Sequence, residues 1–236
     1  MRPVDLAREL KLSTNTLRGY EARGLVPPAV RSPKGYRLYT EEHRAYFHCL
    51  RAMAPGFGME VTAEVLRALQ AGEVDAALWA AGRAQAALHR EQILAAEAAG
   101  RLASEAEAGD TQAGEHDGQP VGIGELSGET GVPRSALRYW EKEGLVSSLR
   151  DEENGYRKYG PSELRKVLLM RLLRSAVYSE EVVRWKEAVK RLDPDDANGA
   201  YRLALEALHH WNALARLQLK GMHALYSLCR QLELLE

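Results

Sequence analysis

The side chains best suited to a specific task in this chain are arginines that stand within two residues of an aromatic. Arg18 lies in Leu17-Arg18-Gly19-Tyr20-Glu21 and Arg138 in Leu137-Arg138-Tyr139-Trp140-Glu141. Arg37 lies in Gly35-Tyr36-Arg37-Leu38-Tyr39 and Arg157 in Gly155-Tyr156-Arg157-Lys158-Tyr159. The formal net charge of −1 hides a net +5 over residues 1–53, −7 over 54–120, +2 over 121–175 and −1 beyond. Basic blocks of this kind suit a polyanionic partner. No Gly-rich phosphate loop, nucleophile elbow or paired-carboxylate motif is present, so the expectation is a binding protein and not an enzyme.

Other chemistry finds less support. Cys49 and Cys229 are the two cysteines, far apart and without partners at metal-ligand spacing. A disulfide framework and a metal or iron-sulfur centre are both unexpected, and no cofactor is implied. His209 and His210 are adjacent and would face different directions on a helix. With 45% hydrophobic and 28% charged residues the chain can build a packed core, which excludes wholesale disorder. It has no run of eighteen apolar residues for a membrane span. Its opening Met1-Arg2-Pro3-Val4-Asp5 is no export signal, so a cytoplasmic location is expected.

The elements that must hold the arginines come in two copies. The motifs above recur at a constant offset of 120 residues, without a gap over the matched stretch. Each copy begins with a short amphipathic helix, Val4 to Leu10 and Ile123 to Thr130. A turn follows at Lys11-Leu12 or Gly131-Val132. Ser13 (an N-cap) or Pro133 then opens a second helix, which runs to Glu21 or Glu141. Leu25 to Tyr39 and Leu145 to Tyr159 read as hairpins turning at Ser32-Pro33-Lys34-Gly35 and at Asp151-Glu152-Glu153-Asn154-Gly155. A third helix starts at Thr40 and at Pro161 and runs to about Met53 and Arg174. A fourth covers Met59 to Gln70 and Ser179 to Leu192.

Each copy closes with a long helix. The first spans Glu73 to Ala108, with a seven-residue seam through Leu78, Ala81, Gln85, Leu88, Gln92, Ala95, Ala99, Leu102 and Ala106. The second spans Ala197 to Leu235, with Ala204, Leu208, Trp211, Ala215, Gln218, Met222, Leu225, Cys229 and Leu232. Gly109 to Pro120 reads as a flexible linker. The expected partition is therefore a winged helix-turn-helix at 1–72 and a coiled-coil helix at 73–108. A linker at 109–120 leads to a second winged domain at 121–193 and a second coil at 194–236. The fold class is mainly α with small β wings.

These residues resemble the mercury-resistance regulator (MerR) family of bacterial transcription factors. The family signature is a helix ending Leu-Arg-Tyr-Tyr-Glu-x-x-Gly-Leu, then a wing with Arg-x-x-x-Gly-Tyr-Arg-x-Tyr. The second copy carries Leu137 to Leu145 and Asn154 to Tyr159, and the first carries Leu17 to Glu21 and Arg31 to Tyr39. The first copy departs at Gly19, where the pattern wants tyrosine. By resemblance, Arg18 and Arg138 contact the DNA backbone, with Tyr20 and Tyr139 beside them. Thr14, Asn15 and Thr16, and in the second copy Arg134 and Ser135, line the start of the recognition helix. There Asn15 would read adenine and Arg134 guanine. Tyr36, Arg37, Tyr156 and Arg157 would brace phosphates or enter the minor groove, with Arg31 and Lys34 adding charge. Tyr39, Tyr159, Leu17, Leu25, Leu137 and Leu145 would be core, and Glu21 and Glu141 local pairs.

The resemblance also implies a dimer whose long helices pair antiparallel, gripping and distorting a promoter spacer so that RNA polymerase can engage it. Two copies in one chain suggest a monomeric pseudo-dimer. A 30-residue helix is about 45 Å long. A dozen-residue linker reaches at most about 40 Å, ample for antiparallel pairing and barely enough for parallel. A homodimer is the alternative. Because the copies differ, the operator half-sites should be unequal. The family's metal sensors use cysteines near the long helix, a pattern Cys49 and Cys229 do not reproduce. Trp79, Trp185, Tyr201, Trp211 and Tyr226 would line either core or an apolar pocket for a small-molecule effector. A DNA-bending architectural or recombination accessory protein is the alternative function.

Overall fold

In the computed structural model, residues 1–108, 120–151, 154–174, 187–189, 191–193 and 196–235 are described. Helix α1 (Pro3–Glu9) carries a proline in its first turn and buries Leu6 and Ala7. Helix α2 (Thr14–Ala22) is capped by Ser13, whose hydroxyl accepts from Thr16 N at 3.0 Å. The second copy repeats the pair as α5 (Ile123–Thr130) and α6 (Arg134–Lys142), with Pro133 at the N-cap position. The turn between the helices needs a left-handed residue. Gly131 supplies it in the second copy at φ 64° and Lys11 in the first at φ 51°. Arginines close both turns from below: Arg51 donates to the Leu10 carbonyl and Arg171 to the Thr130 carbonyl. These carbonyls end their helices and lack intrahelical partners.

The wings are short antiparallel hairpins, β1 (Val30–Arg31) with β2 (Arg37–Leu38) and β4 (Leu149–Arg150) with β5 (Arg157–Tyr159). A further strand, β3 (Val121–Gly122), pairs with the far edge of β5 and was not expected from the sequence. The first copy makes the same pairing through its terminal residue. The Met1 ammonium donates to Tyr39 O at 2.6 Å, and Tyr39 N donates to Met1 O at 3.0 Å.

Helix α3 (Glu41–Gln70) unites the two helices expected at Thr40 to Met53 and Met59 to Gln70. Thr40 caps it in a capping box with His43. Pro55 does not end the helix. The break falls at Gly58, with φ 75° and ψ 163°, conformations open to a residue without a Cβ. Helix α7 (Pro161–Arg174) follows the second wing. The expected helix Ser179 to Leu192 lies mostly outside the described residues, as do 109–119 of the linker and the wing residues Glu152 and Glu153.

The long helices are α4 (Val74–Ala108) and α8 (Ala197–Gln231). In α8, Ala204, Trp211, Gln218 and Leu225 are buried at seven-residue spacing, as the pattern requires. In α4 the seam starts one position earlier than expected. Ala77, Ala80 and Ala81 are buried, whereas Leu78 is 42% exposed and Gln85 is exposed. Alanines on every side let this helix present a face that its few larger residues do not mark. Trp79 and Tyr226, which would line either core or a pocket, are solvent-facing, and Trp185 lies outside the described residues. Trp211 is core.

Two compact units result, and they do not follow the order of the chain. One comprises Met1–His89 with Asn212–Glu236, the other Arg90–Trp211. In the first unit, α8 crosses α3 at close range. A Cβ placed on Gly56 would lie 2.6 Å from Gln218 N, and Gly221 sits against Phe57 and Met53. The buried Gln218 amide donates to Gly56 O at 3.2 Å. The core around this crossing includes Leu6, Leu17, Leu25, Phe47, Leu50, Met53, Leu66 and Leu225. In the second unit Arg101 of α4 donates to Glu129 O of α5 at 3.1 Å. Leu126, Leu137 and Val167 are fully buried there.

Candidate nucleic-acid interface

The helix α2 faces are set by its spacing. Leu17 is fully buried, which turns Asn15 and Arg18 outward. Thr14 and Thr16 are half-buried, and the Thr16 hydroxyl lies 2.8 Å from Ser13 Oγ, within the cap. Tyr20 turns inward and packs its ring 6.4 Å from Phe47. In α6, Leu137 and Trp140 are buried, leaving Arg134, Ser135, Arg138 and Tyr139 exposed. Tyr139 is 59% exposed, whereas its counterpart Gly19 presents bare backbone. The Arg134 guanidinium folds over Gly124 of α5, where a Cβ would come within 2.9 Å of its Nη2.

At the wing tips Tyr36 and Tyr156 are 71% and 72% exposed, and Lys34 is exposed beside Tyr36. Each wing is tied back to its helix-turn-helix by one carboxylate. Arg37 Nε donates to Glu21 Oε2 at 2.8 Å, and Arg157 Nε donates to Glu141 Oε2 at 3.0 Å. Glu21 also accepts from the Tyr39 hydroxyl at 3.2 Å and from Ala29 N at 3.4 Å. Glu141 takes the Ser148 hydroxyl instead. The two wing arginines are thus brought to the acidic ends of α2 and α6, and their charge is partly spent on holding the wing. Tyr39 and Tyr159 are buried beneath. Burial first, and then the Glu21 charge, push the Tyr39 hydroxyl up to about 12. Leu145 is only half-buried, unlike Leu25.

The wing register corrects the gapless alignment. Arg31 stands opposite Arg37, and Arg150, not Asp151, stands opposite Arg157. Arg31 Nη1 donates to Gly35 O at 3.2 Å and Arg150 Nη1 to Gly155 O at 3.1 Å. Arg150 is therefore the equivalent of Arg31, and sequence reasoning missed it. Pro27-Pro28 lengthens the approach to the first wing by one residue, and one more residue at the second wing's tip restores the offset. Asp151 accepts from Asn154 N at 3.2 Å and lies 3.8 Å from Lys158 Nζ, so it shapes the turn.

Among the described residues, no cluster of three His, Cys, Asp or Glu side chains is placed to hold a metal ion. Cys49 and Cys229 are both buried and free. Burial, and secondarily the Cys229 charge, push the Cys49 thiol up to about 12. Among these residues no helix is long and apolar enough to cross a membrane.

Comparison with known proteins agrees with this geometry. The model of the MerR family regulatory protein matches residues 2–39 and again 122–159. The chain is 40% identical over 67 residues to the HTH-type transcriptional regulator CueR of Salmonella typhi, covering 28% of this chain and 49% of that protein. It is 42% identical over 67 residues to a probable heavy metal-dependent transcriptional regulator of Haemophilus influenzae, covering 28% and 52%. With heavy metal-dependent transcription regulator 2 of Rhizobium meliloti it shares 30% over 96 residues, covering 41% and 63%. The chain spans about half the length of the first of these relatives. No solved structure matches. Each of the two matched segments is a helix-turn-helix with its wing, so the MerR family domain occurs twice in this chain.

Proposed function

We propose that this chain is a sequence-specific regulator of transcription that binds double-stranded promoter DNA through both winged helices. The observation that carries this reading is the matched outer face of the two copies. Arg18 and Arg138 are exposed at equivalent points of the second helix, and Tyr36 and Tyr156 at equivalent wing tips. Guanidinium groups there would neutralise phosphates, and the exposed starts of α2 and α6 would meet base edges. The two starts differ, Thr14-Asn15-Thr16 against Arg134-Ser135-Ala136, which supports unequal half-sites. Distortion of the intervening spacer, and an indirect effect on RNA polymerase, follow from the family reading, as does a cytoplasmic, nucleoid-bound location.

In this reading one chain does the work of a dimer. Each winged domain with its following long helix (1–108 and 121–236) stands for one protomer. Helix α4 begins in the first compact unit and ends in the second, and α8 does the reverse, which supports intramolecular antiparallel pairing. The test is selection of bound duplexes from a random library at physiological salt, beside an Arg18→Ala, Arg138→Ala double variant. Two inverted, unequal half-sites at one spacing, lost in the variant, are expected. An unenriched pool, or equal binding by the variant, would shift the weight to an architectural role.

A further inference from the structure

We propose that a slot between α3 and α8, within the first compact unit, binds a small planar carboxylate. A cavity of about 450 Å³ opens there, within the size range of small-molecule sites. Ala45, Ala52 and Ala224 line it together with the buried Cys49. Small side chains on facing helices leave room for a ring lying between the two backbones. The rim carries N–H donors: Arg44, His48 and His223 all border the opening. Glu41 borders it too, but Arg44 Nη1 donates to its carboxylate at 3.2 Å. An apolar bed under a guanidinium and two imidazoles suits a ligand with a flat hydrocarbon body and one negative end.

The rim is also wired to the helix-turn-helix. Arg44 Nε donates to Glu9 Oε1 at 2.7 Å, and His48 Nε2 lies 2.9 Å from the same oxygen. Glu9 is the last residue of α1. The two named bonds of Arg44, to the Glu9 and Glu41 carboxylates, use two of the five N–H groups of a guanidinium, which leaves donors for a third carboxylate. A bound anion would compete with Glu9 for Arg44 and His48 and so loosen the tie between α1 and α3. The site assigned here is independent of what α2 and α6 bind.

Benzoate, titrated into the full-length chain and followed by amide ¹H–¹⁵N shifts, tests this without DNA. Saturable shifts in α1 and α3 are expected, with a dissociation constant roughly in the millimolar range for so small a ligand. Benzyl alcohol, which keeps the ring and lacks the charge, should bind at least about tenfold more weakly. Ala45→Phe fills the bed and should abolish the shifts. Because that change could disturb packing, Glu9→Gln serves as a second variant. It removes the competing carboxylate and should tighten benzoate binding several-fold. Absence of saturation, equal binding of benzyl alcohol, indifference to Ala45→Phe, or weaker binding in Glu9→Gln would each overturn the proposal.

Discussion

Arg37 and Glu21, sixteen residues apart, form an ion pair with Nε and Oε2 separated by 2.8 Å, fixing the wing to the end of α2. Arg157 and Glu141 repeat it in the second copy. Around this shared pair the copies differ. The Tyr39 hydroxyl donates to Glu21, whereas the Tyr159 hydroxyl is buried with no hydrogen-bond partner among the described residues. Deleting a hydroxyl that bonds a carboxylate removes about 1–2 kcal/mol, whereas deleting an unsatisfied one removes a penalty. Tyr39→Phe should therefore lower unfolding free energy by about that amount, and Tyr159→Phe should leave it unchanged or raise it. Urea unfolding of the two variants checks this, and equal losses would contradict it.

The turn between α1 and α2 holds a lysine where its counterpart holds glycine. A side chain in the left-handed region costs roughly 1–2 kcal/mol. Lys11→Gly should stabilise the chain by about 0.5–1 kcal/mol, the larger flexibility of unfolded glycine taking back part of the gain. Gly131→Ala should do the opposite, because its Cβ would also lie 3.1 Å from the Arg171 guanidinium. Thermal unfolding should move up for the first and down for the second.

Stability should fall on the alkaline side. Tyr39, Tyr46 and Cys49 are all raised to about 12 by burial, with the charges of Glu21, Glu42 and Cys229 respectively adding to it. The unfolded chain releases these protons first, near pH 9 for the thiol and 10 for the tyrosines. The folded state then binds more protons, so unfolding free energy declines with pH. The contribution is whole below pH 9 and lost progressively up to about 12. Cys229 is raised by burial as well, so Cys49→Ala should make the decline between about pH 9 and 10 shallower without abolishing it, in a pH series of urea titrations.

Two exposed arginines at equivalent positions should make separable, electrostatic contributions to DNA binding. Arg18→Ala and Arg138→Ala should each reduce the dependence of log K on log salt by about one. The double variant should lose about two, as expected for sites without shared partners. A fluorescence anisotropy series in potassium chloride with one duplex reads the slopes directly. Unchanged slopes would remove these residues from the contact surface.

Helix ends and copy number could be read from residue types, because they rest on local chemistry. Ser13 and Thr40 cap the helices they were expected to cap, and the duplicated motifs occupy duplicated winged folds. Three things rest on nonlocal packing and could not. Cross-strand pairing puts Arg150 opposite Arg157, while a gapless alignment offers Asp151 as the match for Arg31. Alanine-rich α4 conceals which face is buried, so Leu78 was misplaced. The helix from Thr40 reads as ending near Met53, yet it continues to the kink at Gly58, with Gly56 packed against the α8 backbone. At the candidate interface, the type of each outward residue was readable. The inward turn of Tyr20 and the engagement of Arg37 by Glu21 depend on Phe47 and on the wing fold.

The first compact unit joins two segments far apart in sequence, Met1–His89 and Asn212–Glu236. On the ribosome the segment Met1–His89 must wait for Asn212–Glu236. At about 5–20 residues per second, the nearly 150 residues from His89 to Glu236 take roughly 7–30 s to synthesise. Through that interval Met53, Phe57 and Gly56 lack the helix that covers them, and the first-born module is the later of the two units to close.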